Sequence, residues 1–162
     1  MMSPYWAQFE RGELTEEETL QGFISLDPEI AEEIRRAYGS VAGMLTVRDY
    51  AIPLLESLKA QGLQLYYLSN YSKKAYDECG ESLSFMPCMD GGLVSFRVGM
   101  TKPDPEMFRL LLEKYQLDPA DCLFVDDSPE NVEAAQSLGF QGFIFTSKDD
   151  LIRLLKEQGI RL

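Results

Sequence analysis

The stretch Leu123-Phe-Val-Asp-Asp-Ser-Pro-Glu-Asn131 decides the fold, because it joins a short apolar run to two acids and a helix start. Residues 122–126 have the length and apolar character of a buried β-strand. Ser128 and Pro129 favour a helix that begins at once, since serine suits the N-cap and proline the first helical position. A strand followed directly by a helix is the repeating unit of α/β folds.

The same alternation continues along the chain on both sides of this segment. Other strand-length apolar runs lie at 63–69, 93–96 and 142–146. Amphipathic helices with recognisable start and stop signals are predicted at 50–61, 105–115, 129–138 and 148–158. Strands separated by helices form right-handed crossovers, so we predict an α/β fold with a doubly wound, Rossmann-like parallel sheet.

Residues 1–46 differ from the rest because only helices are predicted there. Thr15-Glu-Glu-Glu18 has capping-box spacing, and Asp27-Pro28 provides a second helix start. Helices are predicted at 16–24 and 28–38. We therefore divide the chain into a helical segment, 1–46, and an α/β unit, 47–162.

Composition excludes several classes of protein. The 162 residues include 27 acidic and 15 basic side chains, for a formal charge of −12, which disfavours nucleic acids and anionic membranes as partners. No apolar run approaches the roughly 20 residues of a membrane span. Cys79, Cys88 and Cys122 fit neither a disulfide framework nor a zinc site, and no secretory signal begins the chain, so a cytoplasmic location is expected.

Polar residues follow three of the predicted strands. Ser69 and Asn70 end one strand, Lys102 lies after the next, and Asp126 and Asp127 end another. Ligands of open α/β sheets bind beyond the carboxyl ends of the strands, so these residues are expected to meet at one edge. Two adjacent carboxylates favour a hard cation such as Mg²⁺, and a lysine with a hydroxyl favours an anion.

Each feature taken alone also has a structural explanation. One aspartate of the pair can be structural while Ser128 caps the following helix. Lys102 beside its prolines can be an ordinary surface lysine, and Ser69-Asn70 can simply cap a helix. The order and spacing of the three segments favour a functional interpretation.

Together these segments resemble the motifs of the haloacid dehalogenase superfamily of Mg²⁺-dependent phosphohydrolases. The matching stretches are Leu65-Tyr-Tyr-Leu-Ser-Asn70, Lys102-Pro-Asp-Pro-Glu-Met-Phe108 and Leu123-Phe-Val-Asp-Asp-Ser-Pro-Glu-Asn131. The resemblance implies that Lys102 is catalytic and binds phosphate together with Ser69 and Asn70. It also implies that Asp126 and Asp127 bind Mg²⁺ and that Ser128 and Asn131 support them. Residues 1–46, with Phe9-Glu-Arg-Gly-Glu-Leu-Thr15, are similar to the helical cap of a subgroup that includes sugar-phosphate phosphatases, one acting on glucose 1-phosphate.

One element of the family pattern is missing. The resemblance implies a nucleophilic aspartate in an Asp-x-Asp motif on a first strand before the cap, but no aspartate of this sequence begins such a motif. We therefore expect a truncated chain, and we favour a misassigned start as the reason. Without the nucleophile the chain is expected to be inactive or nearly so, and its Mg²⁺ binding is expected to be weakened. The alternative is a non-catalytic protein that binds a phosphorylated ligand or another protein. A response-regulator receiver is disfavoured, because there the acidic pair comes first and the lysine last.

The missing strand also predicts a gap in the sheet. In the family it lies between the strands that end here at Ser69 and Asp126, so unpaired backbone groups are expected on both sides. Direct pairing of the two strands, a second copy in a strand-exchanged homodimer, or an upstream segment would satisfy them.

The expected ligand is a small phosphorylated metabolite.

Overall fold

The computed structural model describes residues 4–162, so residues 1–3 of the predicted helical segment lie outside the described residues. Three helices precede the α/β unit: α1 (Pro4–Glu10), α2 (Glu16–Leu26) and α3 (Ala31–Gly39). The remaining helices and strands, in chain order, are α4 (Ala51–Ala60), β1 (Tyr66–Ser69), α5 (Lys73–Glu78), β2 (Gly91–Val94), α6 (Ser95–Val98), α7 (Pro105–Tyr115), β3 (Leu123–Asp126), α8 (Pro129–Ser137), β4 (Gln141–Ile144) and α9 (Lys148–Glu157). Most ends of the predicted long helices are confirmed to within two residues. In the helix predicted at 28–38, a 3₁₀ turn over Pro28–Ile30 replaces the first turn, and α3 follows it.

Several helix starts follow the local signals of the sequence. The capping box of α2 is complete, since Thr15 Oγ1 accepts from the Glu18 N–H while a Glu18 carboxylate oxygen accepts from the Thr15 N–H. Ser147 caps α9 through its hydroxyl, which accepts from the Asp150 N–H. Ser128, in contrast, makes no side-chain cap on α8. The structural explanation in which Ser128 acts as a capping hydroxyl is therefore wrong.

The strands form two separate parallel pairs. β1 pairs with β2 in the register Tyr66 to Gly91, and β3 pairs with β4 in the register Leu123 to Gln141. Within residues 4–162, β1 and β3 are not hydrogen-bonded to each other, so direct pairing, one of the three ways considered to fill the gap, does not occur. The α/β fold with parallel strands and without the family's central strand is confirmed.

The predicted strand at 93–96 is wrong in its second half. The strand begins two residues earlier, at Gly91, and Ser95 already starts α6. The reason lies in α7: an added Cβ at Gly91 would stand 2.4 Å from the Tyr115 hydroxyl oxygen. That hydroxyl accepts a hydrogen bond from the Gly92 N–H at 2.8 Å. β2 therefore depends on a tyrosine from another element, which its own composition does not indicate.

The main apolar core joins the two strand pairs through α7. Met107 and Phe108 of this helix are fully buried. Leu68 of β1 packs in the same cluster, and the Phe108 ring lies 5.1 Å from the ring of Phe124 on β3. A single helix thus covers both pairs and holds them as one α/β layer.

The helical segment has its own aromatic cluster and contacts the α/β unit through a buried lysine. Phe9 is 4% exposed, and its ring lies 6.1 Å from that of Trp6. Lys74 of α5 is buried, and its ammonium forms ion pairs with Glu16 of α2, at 3.3 Å, and with Glu78. The boundary between residues 46 and 47 stays a prediction.

Among the helices of residues 4–162, none combines the length and the apolar character needed to cross a membrane.

Replacing Phe108 with alanine is expected to lower the free energy of unfolding by about 3–5 kcal/mol, because the cavity would lie between both strand pairs. Urea denaturation followed by circular dichroism measures the change. Leu26→Ala is the control, since Leu26 is 60% exposed, and is expected to stay within about 0.5 kcal/mol of the parent chain. Equal losses in the two variants would contradict the assignment of α7 as the central core element.

Candidate functional site

Two reciprocal hydrogen bonds join the end of β1 to the loop that carries Lys102. The Lys102 N–H donates to Asn70 Oδ1 at 2.8 Å, and Asn70 Nδ2 donates to the Lys102 carbonyl at 2.9 Å. Asn70 therefore uses both ends of its amide to fix the backbone of the lysine. Asn70 and Lys102 therefore lie next to each other, as the sequence predicts.

The Lys102 side chain reaches the end of β3. Its ammonium lies 2.6 Å from Asp126 Oδ2, and the two side chains are only 10% and 8% exposed. The ammonium also lies 5.7 Å from the centre of the Phe124 ring. A buried ion pair thus connects the carboxyl ends of β1 and β3, which no backbone hydrogen bond joins in the described residues.

Asp126 is fully occupied by this network. Its Oδ1 accepts from the Ser128 N–H and from Asn131 Nδ2, each at 2.9 Å. Burial alone would raise the pKa of Asp126, but the bonds from Lys102, Asn131 and the Ser128 N–H together hold the pKa below its usual value. Asp126 is therefore ionised and positions the lysine, and Ser128 contributes its backbone and not its hydroxyl.

Asp127 and Ser69 differ from Asp126 because both are unengaged. Asp127 is exposed, and in the described part of the chain neither its carboxylate nor the half-buried Ser69 hydroxyl makes a hydrogen bond or ion pair. They lie at the ends of β3 and β1, beside the residues of the network. Their roles as metal and phosphate ligands stay predictions.

The side chains around the acidic pair decide whether it can hold Mg²⁺. Over residues 4–162 no group of three or more Asp, Glu, Cys or His side chains is placed to hold a metal ion. Asp126 already neutralises Lys102, which leaves Asp127 as the free carboxylate of the pair. Mg²⁺ requires octahedral oxygen coordination, so these residues do not form a complete magnesium site by themselves.

Sequence reasoning missed Glu10, a carboxylate of the helical segment. Glu10 is half-buried at the end of α1, and its carbonyl accepts from Ser95 Oγ at 2.6 Å. Burial raises the pKa of Glu10, and a hydrogen bond from Trp6 and the positive charge of Lys102 oppose this shift. Glu10 lies within the stretch 9–15 quoted above, and nothing in that stretch distinguishes it from Glu13.

Comparison with known families agrees with this geometry. The model of the haloacid dehalogenase-like hydrolases matches residues 3–139. The chain belongs to this family. The motifs quoted above fall within the matched region, so the resemblance found in the sequence is confirmed.

Curated relatives include two named hydrolases. Flavin mononucleotide hydrolase 1 of Arabidopsis thaliana, a chloroplast protein, is 30% identical over 97% of this chain and 63% of the relative. The sesquiterpene phosphatase astK of Aspergillus oryzae is 31% identical over 89% of this chain and 74% of the relative. The chain therefore spans less than two thirds of the length of the first of these proteins.

Solved structures support the fold. A haloacid dehalogenase family enzyme of Bacteroides thetaiotaomicron, crystallised with magnesium and inorganic phosphate, superposes with a TM-score of 0.73 at 23% identity. The superposition covers 95% of this chain and 80% of that enzyme. At this identity the likeness establishes the shared fold.

Asp126→Asn is expected to lower the free energy of unfolding at pH 7 by about 3–5 kcal/mol, because it leaves a buried ammonium without its counter-charge. A depressed carboxyl pKa contributes stability that is complete above the unfolded value, near 4, and is lost as the pH falls through the folded pKa. The difference from the parent chain should therefore shrink below about pH 4. Chemical denaturation from pH 7 to pH 2.5 measures it.

The matched control is Asp127→Asn, which removes the same charge from the exposed neighbour. It should change stability by less than about 0.5 kcal/mol at every pH. A pH-independent loss in Asp126→Asn, or the same loss in Asp127→Asn, would count against the buried ion pair as the stabilising contact.

Proposed function

We propose that this chain is the phosphate-recognition part of a Mg²⁺-dependent phosphohydrolase that acts on small phosphorylated metabolites. The observation that carries the proposal is the position of Lys102 at the carboxyl ends of β1 and β3, where Asn70 binds its backbone and Asp126 binds its ammonium. The names of the relatives, a flavin mononucleotide hydrolase and a sesquiterpene phosphatase, support phosphate esters as the substrate class.

The phosphate would be bound by residues at the end of β1 together with Lys102. An ammonium carries three donors, and Asp126 uses one, so the others are available to an anion. The unengaged hydroxyl of Ser69 supplies a further donor at the same strand end. Asn70 fixes the lysine backbone by its two hydrogen bonds, which limits the motion of the loop.

Mg²⁺ is proposed as a weakly bound cofactor of this chain. Asp127 would provide a direct ligand. Asp126 would bind the metal only with an oxygen that is released from the Lys102 ammonium. A bound Mg²⁺ supplies positive charge that polarises a phosphoryl oxygen. With one free carboxylate in the described residues, affinity is expected to be lower than in an enzyme that offers a further acid.

The 162 residues by themselves are proposed to be inactive or nearly so. Covalent phosphoryl transfer needs a carboxylate positioned to attack phosphorus, and no Asp-x-Asp motif occurs in the sequence. The inner edges of β1 and β3 make no backbone hydrogen bonds within residues 4–162, so they offer a place for a strand that carries the nucleophile. A second copy of the chain is the alternative source, as a strand-exchanged homodimer.

A non-catalytic phospholigand-binding or protein-binding role is the second candidate. The observation that favours it is the intact network of Asn70, Lys102, Asp126 and Asn131 in a sequence without the nucleophile motif. Such a site retains groups that bind an anion but not the group that attacks it.

The cytoplasmic location stays a prediction that rests on the free cysteines.

Purified 162-residue chain is expected to release inorganic phosphate from p-nitrophenyl phosphate with Mg²⁺ at the rate of buffer alone, because the attacking group is missing. A phosphate-release assay measures the rate, and light scattering on the same sample reports the oligomeric state. Hydrolysis above buffer that Asp127→Ala abolishes would contradict the proposed inactivity.

Adding a first strand distinguishes the enzyme from the binding protein. A first strand that carries the Asp-x-Asp motif of the family pattern is fused ahead of Met1, with an Asn-x-Asn fusion as its matched control. Activity in the first fusion alone, lost again in its Lys102→Met variant, is the result expected of the phosphohydrolase. If both fusions bind inorganic phosphate and neither hydrolyses the ester, the binding-protein candidate is favoured instead.

A further inference from the structure

A buried serine joins the helical segment to the loop that follows β1. Ser95, the first residue of α6, is fully buried, and its hydroxyl accepts a hydrogen bond from the Tyr71 N–H at 2.9 Å. The same hydroxyl oxygen lies 2.6 Å from the Glu10 carbonyl oxygen and 3.0 Å from the Tyr71 carbonyl oxygen. One side chain of α6 therefore contacts the backbone of two other segments of the chain.

These contacts use the bonding capacity of the hydroxyl. A serine hydroxyl has one proton to donate and two lone pairs that accept. The Tyr71 N–H occupies a lone pair, and the Glu10 carbonyl is the nearer of the two acceptors for the proton. All three contacts lie outside α6, so this hydroxyl joins segments of the fold and does not stabilise its own helix.

The turn after α1 makes a second close contact with α6. Gly12 has a φ of +71°, and a Cβ added there would stand 2.9 Å from the Phe96 carbonyl oxygen. Only glycine adopts this backbone conformation readily and allows so close an approach. The end of α1 is therefore docked on two adjacent residues, Ser95 through its side chain and Phe96 through its backbone.

The Tyr71 N–H belongs to the peptide group that follows Asn70. A peptide group is planar, so a hydrogen bond to this N–H also restrains the carbonyl end at Asn70. The Asn70 side chain in turn binds the Lys102 backbone at both its N–H and its carbonyl. Without the hydroxyl, a backbone N–H in this part-buried region would lose its acceptor, and the loop would have to move to find another.

We propose that Ser95 is a positioning residue of the phosphate site. It fixes the peptide group after Asn70, and through it the strand end that carries the Ser69 hydroxyl and the loop that carries Lys102. Its side chain is fully buried and bonded to backbone groups, so it acts through this peptide group and not by touching the ligand. The inference rests on the proposed phosphate site.

Ser95→Ala removes the hydroxyl with the least change of shape. Phosphate binding is measured by NMR titration of the 162-residue chain with inorganic phosphate in the presence of Mg²⁺. The variant is expected to bind phosphate about tenfold more weakly than the parent chain, because the Tyr71 N–H loses its acceptor. Amide exchange at Tyr71 is expected to become about tenfold faster, with a smaller change at the fully buried Phe108 of α7.

Two control variants separate this effect from other causes. Thr19→Val removes another fully buried hydroxyl, which donates to the Thr15 carbonyl at 2.8 Å. Gly12→Ala disturbs the contact of the α1 turn with Phe96 and keeps the Ser95 hydroxyl. Both controls are expected to bind phosphate within about twofold of the parent chain, since neither changes the partner of the Tyr71 N–H.

Phosphate affinity of Ser95→Ala within about twofold of the parent overturns the proposal. An equal loss in Thr19→Val or Gly12→Ala also overturns it, because the cause would then be general destabilisation or the docking of α1. The parent chain gives a test that does not depend on the folding of any variant: exchange of its Tyr71 amide at the rate of an unstructured peptide contradicts the positioning role. If the parent binds no phosphate while this amide is protected, the proposed phosphate site is wrong, and the positioning role falls with it.

Discussion

The site depends on one buried ion pair. Lys102 and Asp126 come from different strand connections, and their contact closes the carboxyl ends of two sheets that share no backbone hydrogen bond in the described residues. Neither charge would tolerate burial alone, so each fixes the position of the other. Asn70 and Asn131 complete the arrangement by holding the lysine backbone and the carboxylate.

The parts of the fold that could be predicted from sequence are those set by neighbouring residues. Helix starts at Thr15 and Ser147 are decided within a single turn, and their caps form as expected. The convergence of Asn70, Lys102 and Asp126 was predictable as well, because parallel strands place their carboxyl ends at one edge. Both kinds of inference use short-range geometry or a rule of topology.

The parts that could not be predicted depend on contacts distant in sequence. Adjacent aspartates look alike in a sequence, and only the approach of Lys102 separates the engaged Asp126 from the exposed Asp127. The end of α1 is held by Ser95, which is far away in the chain and donates to the Glu10 carbonyl. Neither distinction is encoded in a local pattern.

Tyr115 has a consequence for how the strands can associate. In a parallel pair, the N–H and C=O of one residue point to the same side, and those of Gly92 point to the Tyr115 hydroxyl and not to β1. The phenol thus blocks the outer border of β2, where an exposed strand would otherwise recruit a foreign chain. A further strand would therefore join this sheet beyond β1, on the side where Lys102 and Asp126 lie.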